Sequence, residues 1–314
     1  MASIVESEFI WKNGKLIPWA DATTHVLSHS LHYGSGVFEG MRAYKDPDSE
    51  KRYIFRLKDH MDRLLKSCKI AKIDIDYTSD ELVEATIQTL EANKMEACYV
   101  RPIVYRGYGT MGVDPRGATT DVVIACWAWA AYLGDEALEH GIKVGTSSWR
   151  QRSINAIPPA VKATASYFNS IMAKLEATEH GYAEAVMLNE AGHVCEGTGE
   201  NLFIIRDGVL VTPTLSTGIL AGITRDSVIK IARESGIEVR EETLLRTDLY
   251  TADEMFLTGS AAELTPVTEV DGIPVADGVP GPITKQLSHD FFEILYGHND
   301  KFKSWNYEFK AIAS

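Results

Sequence analysis

The run TTDVVIACWAWAAY (119–132) constrains the fold most tightly. It is continuously apolar after Asp121, so it reads as a strand buried on both faces. The stretch before it, ACYVRPIVYRGYG, also reads as a strand. Its period of two puts Tyr99, Arg101, Ile103 and Tyr105 on one face and Val100, Pro102 and Val104 on the other. FIWKNGKLIPW gives two strands around an Asn-Gly turn. YIFRLKDHMDRLLKSCKI enters a helix with Met61, Leu64, Leu65 and Cys68 at helical spacing, and Thr78 with Glu81 forms a capping box for the next helix.

Around YLGDEALEHG (132–141) the apolar pattern lapses and charge rises, which reads as a linker. Beyond it come strand IKVGTSSW, a helix over roughly 166–180 ending at His180-Gly181, and strands EAVMLN, LFIIRD and VLVTP. Helices GITRDSVIKIARESG and ITKQLSHDFFEILYG follow, separated by a strand-rich stretch. Strands and helices alternate without a strict βαβ rhythm. The expectation is a mixed α+β fold in two domains, 1–131 and 142–314, the second carrying Lys162, with a ligand cleft between them.

Of the 314 residues 45% are hydrophobic and 24% charged, enough for real cores, and the net charge is −13. That balance argues against nucleic-acid binding, which needs a basic face, while leaving room for a locally positive pocket for small anions. The four cysteines are scattered without CxxC or neighbouring His, as reduced core thiols would be. MASIVESEFIWKNGK lacks an apolar signal core and no run approaches a membrane span, so a cytoplasmic enzyme is expected, with no membrane partner.

Several stretches carry candidate chemistry. In IPPAVKATASYFN, Lys162 stands among small, neutral residues; desolvation there would lower its pKa, as an imine-forming or general-base lysine needs. The plainer reading is a surface lysine at a helix start. CEGTGENLF interleaves Glu196 and Glu200 with glycines, and the spacing leaves open which glutamate faces a site and whether either does. LAGITRDSV starts a helix whose N–H groups suit a phosphate, and LTGSAAELTP offers hydroxyls and amides. HSLHYGSGVFEGMRAY displays Tyr33, Phe38 and Gly40, either as a pocket wall or as core. Arg56 and Arg101 are lone arginines in apolar strands, and an anionic ligand would explain them. Together these converge on a phosphorylated cofactor joined to a lysine as an imine, and pyridoxal phosphate (PLP) fits. GxGxxG and HExxH are absent, so no dinucleotide and no metal is expected.

With LHYGSGVFEG, FRLKDHMDRL, YVRP, MGVDP, PPAVKA, Tyr167, EGTGENLF, GITRDSV and GSAAELTPV in that order, the chain resembles the fold-type IV PLP-dependent aminotransferases, specifically the bacterial branched-chain group. The resemblance implies the two-domain fold of D-amino-acid aminotransferase-like enzymes. It implies that Lys162 is the imine lysine and proton carrier, that Glu196 meets the pyridine nitrogen and that Tyr167 meets the ring oxygen. Arg56, the amides of Ile223 and Thr224, and Ser260 would hold the phosphate. Tyr99 and the amides of Ser260, Ala261 and Ala262 would take the substrate α-carboxylate, and Arg101 the distal carboxylate of glutamate. Phe38, Gly40, Trp129 and Tyr132, with Tyr33 and Val113 from a neighbouring subunit, would line the side-chain pocket.

The implied reaction is ping-pong transamination of leucine, isoleucine and valine with 2-oxoglutarate, in a homo-oligomer of at least a dimer, with a hexamer as the larger alternative. A D-amino-acid or (R)-amine transaminase, an aminodeoxychorismate lyase, a non-catalytic PLP binder and a plain anion-binding module are the competing readings. Ser166, Thr198 and Ala221 depart from the commonest family pattern without removing a catalytic group.

Overall fold

The structure is a computed structural model and describes residues 4–129 and 133–310. The chain divides into two compact units. The first holds the residues up to Trp129 together with Val161–Ala165 and the segment from Glu293 onward; the second holds the rest, up to Phe292.

In the first unit, β1 (Phe9–Lys12) and β2 (Lys15–Pro18) form a hairpin in which Ile10 faces Ile17. Asn13 and Gly14 sit at φ 48° and 89°, the backbone that a two-residue Asn-Gly turn requires. A short helix α1 (His29–Tyr33) leads to β3 (Gly36–Phe38), β4 (Met41–Lys45) and β5 (Arg52–Phe55). Helices α2 (Leu57–Ile70) and α3 (Ser79–Ala92) precede β6 (Cys98–Arg106) and β7 (Thr120–Trp127). The sheet order is the C-terminal strand Asn306–Phe309, β5, β4, β6, β7, β1, β2, with β3 also paired to β6. Leu57, Met61, Leu64 and Cys68 form the buried stripe of α2 and pack with Leu82 and Leu90 of α3 and with Val100, Val104 and Ile124 of the sheet. Each such side chain contributes about 1.5–3 kcal/mol by leaving water. Thr78 Oγ1 accepts the Glu81 N–H and the Glu81 carboxylate accepts the Thr78 N–H, so the capping box forms.

β7 departs from the expected strand buried on both faces. Val122, Ile124 and Cys126 are buried, but Val123, Ala125 and Trp127 are only half-buried. The register explains why: Ala125 faces Arg101 and Trp127 faces Tyr99. Cross-strand partners share a face. The second side of β7 is therefore apolar because it continues the face that carries candidate site residues.

The second unit contains α4 (Asp135–His140), β8 (Ile142–Thr146), α5 (Tyr167–Glu179), β9 (Glu184–Val186), β10 (Asn201–Arg206) and β11 (Val209–Pro213). Then come α6 (Ile223–Glu234), β12 (Val239–Glu242), α7 (Arg246–Tyr250), β13 (Glu254–Gly259), β14 (Glu263–Val270), β15 (Ile273–Pro274) and α8 (Pro282–Leu295). The sheet order is β12, β11, β10, β13, β14, β8, β9, with β15 on β14. β11/β12, β14/β8 and β8/β9 are parallel and the other pairs antiparallel, which makes the sheet mixed. Leu202, Ile204, Val211, Leu257 and Val267 lie in its core.

Two boundaries differ from expectation. Within the stretch read as a linker, α4 forms and buries Ala137 in the second core. The lysine segment groups with the first unit: Val161 lies in that core, Ala163 bridges Val37, and the Phe38 N–H donates to the Lys162 carbonyl at 3.0 Å. Following Pro158-Pro159, this segment can pair with a strand there.

Candidate active site

In the first unit, Lys162 is half-buried, with Nζ 5.2 Å from the centre of the Phe38 ring. The Arg101 guanidinium lies 4.5 Å from the centre of the same ring, and its Nη2 donates to Tyr99 Oη at 3.2 Å. Its Nε is buried without a hydrogen-bond partner among the described residues. The Tyr99 ring meets Trp127 at 5.2 Å and Trp129 edge-on at 4.8 Å, and the Trp129 carbonyl is held by Arg42 at 2.6 Å. Gly40 makes this wall possible: a Cβ there would stand 1.9 Å from Tyr99 Oη. The result is an aromatic wall with one guanidinium laid across it, an arrangement stabilised by cation–π attraction.

Arg56 caps the N-terminus of α2 from φ 50°, a left-handed conformation that is strained for a residue with a side chain. Its N–H donates to the Trp305 carbonyl at 2.6 Å, its guanidinium lies 5.0 Å from that indole, and Nε pairs with Asp59 at 2.5 Å. Tyr33, the last residue of α1, and Val113 are 43% and 88% exposed, and Tyr33 Oη accepts the Gly112 N–H at 3.1 Å. Tyr132 lies outside the described residues.

Glu39, the residue after Phe38, is wholly buried. Its carboxylate receives Arg63 through two nitrogens at 2.6 and 2.8 Å and His60 Nδ1 at 2.7 Å. Burial would raise this carboxyl, but the Arg63 guanidinium and His60 more than offset it and hold it well below the usual carboxylate range. Burial in turn pushes the His60 imidazole down, against the pull of Glu39.

In the second unit, Glu196 is buried and fixed by three donors: Gln151 Nε2 at 2.7 Å, Asn201 Nδ2 at 3.2 Å and the Leu220 N–H at 3.0 Å. Asn201 also donates to the Leu220 carbonyl at 3.0 Å and stands opposite Thr258 in the β10–β13 register. Gly222 precedes α6, and a Cβ there would lie 2.0 Å from Asn201 Oδ1, so only glycine lets the helix start approach Asn201. Ile223 and Thr224 form the first positions of that helix, which has no side-chain cap. Ser260, Ala261 and Ala262 make the turn between β13 and β14, after Thr258. Tyr167 opens α5. Glu200 points elsewhere than Glu196: it is buried in contact range of Gly197 and accepts the Gly199 N–H at 3.0 Å. Burial and the nearby Glu184 carboxylate push its carboxyl up to about 8.

In the first unit, Arg56 is a cation of the kind that binds a phosphate. In the second, the start of α6 after Gly222 offers backbone N–H groups of the same kind, and Glu196 is a carboxylate of the kind that meets the basic nitrogen of a phosphorylated pyridine. Among the described residues, the buried Nε of Arg101 in the first unit and the buried Oγ of Ser166 in the second have no hydrogen-bond partner, and each is a polar atom that a ligand can satisfy.

The profile of the amino-transferase class IV family matches residues 36–270. The chain belongs to that family. A branched-chain-amino-acid aminotransferase of Salmonella typhimurium is 47% identical over 302 residues, 96% of this chain and 97% of the relative. The crystal structure of the Escherichia coli branched-chain amino acid aminotransferase aligns with a TM-score of 0.94 at 45% identity, covering 98% of this chain and 100% of that one. The branched-chain amino acid aminotransferase of Thermobaculum terrenum, solved in its PLP-bound holo form, aligns with a TM-score of 0.90 at 37% identity, over 96% of this chain and 98% of that one.

Within this class IV aminotransferase, sequence reasoning missed Gln151, Asn201, Trp127 and the Glu39–His60–Arg63 group. Asn201 carried a signal, as a polar residue opening an apolar strand. Gln151 carried none.

Proposed function

We infer that this chain is a PLP-dependent branched-chain-amino-acid aminotransferase. It moves the amino group of L-leucine, L-isoleucine or L-valine to 2-oxoglutarate, releasing branched 2-oxo acids and L-glutamate. The observation that carries this reading is the guanidinium of Arg101 laid on the Phe38–Tyr99 wall. One pocket must accept an apolar side chain and, in the other half-reaction, a carboxylate; rings with one cation at their edge serve both.

Lys162 would hold the cofactor through Nζ, and the free amine at that atom would move the proton taken from the substrate Cα. The cofactor, when bound, supplies the electron sink for that proton's removal. Glu196, held by Gln151, Asn201 and the Leu220 N–H, keeps a proton on the ring nitrogen. Tyr167 donates to the ring oxygen. Arg56, the N–H groups of Ile223 and Thr224, and Ser260 hold the phosphate. Tyr99 with the amides at 260–262 orients the α-carboxylate, and Arg101 receives the distal carboxylate of glutamate. Phe38, Gly40 and Trp129 shape the side-chain pocket.

Tyr33 and Val113 act from a second copy, so the working enzyme is at least a dimer; their exposure on the isolated chain supports this. Four free, buried cysteines suit a reducing cytoplasm. Among the described residues no helix is long and apolar enough to cross a membrane.

The purified protein is expected to be yellow and to consume leucine with 2-oxoglutarate, while Lys162→Ala abolishes both turnover and the absorbance of the lysine-bound cofactor. Retained absorbance in that variant, or activity on D-alanine without activity on L-leucine, would sink the reading.

A further inference from the structure

Lys162 is held from two sides. On one, the Phe38 N–H donates to the Lys162 carbonyl at 3.0 Å and Val37 bridges Ala163, so the end of β3 pairs with the lysine segment. On the other, the Lys162 N–H reaches Ser67 Oγ of α2 at 3.4 Å. The group that joins those two elements is Glu39, the residue after Phe38. Its carboxylate takes His60 Nδ1 and Nε and Nη2 of Arg63, all from α2 and one to two turns before Ser67. Glu39 is 0% exposed and His60 1%, so neither side chain can meet a substrate. Charges facing His60 are those of Glu39, Arg63 and Lys162, and the last is close enough to help keep the imidazole neutral.

We propose that Glu39 is a positioning residue for Lys162: by clamping α2 to the end of β3 it fixes the backbone from which the lysine reaches the cofactor. The inference rests on the role given to Lys162 above. A buried ion pair is a poor source of stability compared with apolar packing, and its best use is to specify one arrangement of the elements it joins. An Arg63–carboxylate fork specifies two contacts at once.

Only the aldehyde form of the cofactor bonds to Lys162; the amine form, pyridoxamine phosphate, is held by the phosphate and ring contacts alone. A fault confined to the lysine therefore separates the two forms. The test measures cofactor release from full-length holoenzyme, in each form, for Glu39→Gln and for the double variant Glu39→Gln/Arg63→Met, which removes the clamp without leaving a buried charge. His60→Gln, which keeps the arginine fork, guards against misfolding of the others. Misplacement of a reacting group by about 1 Å costs up to about 100-fold, so PLP release is expected to accelerate about 10- to 100-fold, with pyridoxamine phosphate release within about 3-fold of the parent. kcat should fall with little change in the KM for leucine. Equal acceleration of both forms, meaning general loosening, overturns the proposal, as does no change in either. Because Lys162→Ala separately tests the lysine itself, a failure here with that variant colourless and inactive condemns the positioning role alone.

Discussion

Glu39 in the first unit and Glu200 in the second are both buried, at 0% and 4% exposure, yet they resolve the cost of burial in opposite ways. Desolvation pushes both carboxyls up. Around Glu39, Arg63 and His60 reverse that push and the group stays ionised. Around Glu200 the Glu184 carboxylate adds to it; the Gly199 N–H and the Lys174 charge fall short, and the group holds its proton at neutral pH. A buried carboxyl is thus neutralised by a cation where one is supplied and by a proton where none suffices. Glu196 is among the charges that raise Glu200, so a neutral Glu200 leaves the Glu196 region with less mutual repulsion.

The comparison breaks most visibly if the cation is removed. Arg63→Met leaves Glu39 buried beside a histidine that resists protonation, and stripping one partner from a buried pair costs about 3–5 kcal/mol. Chemical denaturation of the apoprotein at pH 7 reads this directly; a loss under about 1 kcal/mol would mean that Glu39 simply takes up a proton, as Glu200 does. Since the folded-state carboxyl of Glu39 lies below its unfolded value of 4.5, its contribution is present above that pH and disappears as pH falls further.

Glu200 has the reverse linkage. Its folded value, about 8, exceeds the unfolded 4.5, so the native state holds the extra proton between them and stability declines as pH rises through that window. One proton gives a slope of at most about 1.4 kcal/mol per pH unit. Glu200→Gln should abolish this component, so that the difference in unfolding free energy between variant and parent grows in the variant's favour from pH 5 toward about pH 8. A difference independent of pH would show that Glu200 is already ionised.

How far such features can be read from sequence depends on how local they are. The Asn13-Gly14 turn, the Thr78–Glu81 box, the α2 stripe and the alternation of β6 are set by residues within a few positions of one another, and all were legible. Lys162 stood out for the same reason, since its unusual company is its immediate sequence. The two faces of β7 were not separable, because an apolar core face and a ring-lined site face have the same composition. In α4, a single buried alanine among charged residues looks like a linker. Nor could Glu196 be told from Glu200. Of the three donors that fix Glu196 only Asn201 is near in sequence; Gln151 is 45 positions away and the Leu220 amide 24 positions on. The Glu39 clamp spans 21 and 24 residues and closes only through tertiary packing.

The smallest expected effect comes from an ion pair of the same chemistry placed in water. Asp114 and Arg116 pair through their side chains, yet they are 57% and 89% exposed. The Arg116 hydrogen bonds lower the Asp114 carboxyl, but solvent and salt screen such a pair and the entropy of ordering two side chains opposes it. Asp114→Asn should therefore leave the thermal midpoint of the isolated chain unchanged at both low and high salt, whereas the defect of Arg63→Met should persist at high salt, because its charge lies beyond the reach of ions. That contrast would locate the effect of Arg63 in burial rather than in pairing. The same substitution is also a probe of assembly. Asp114 adjoins Val113, which is assigned to the pocket of a second copy, so a loss of stability that appears only at protein concentrations where the oligomer forms would place this loop inside the interface.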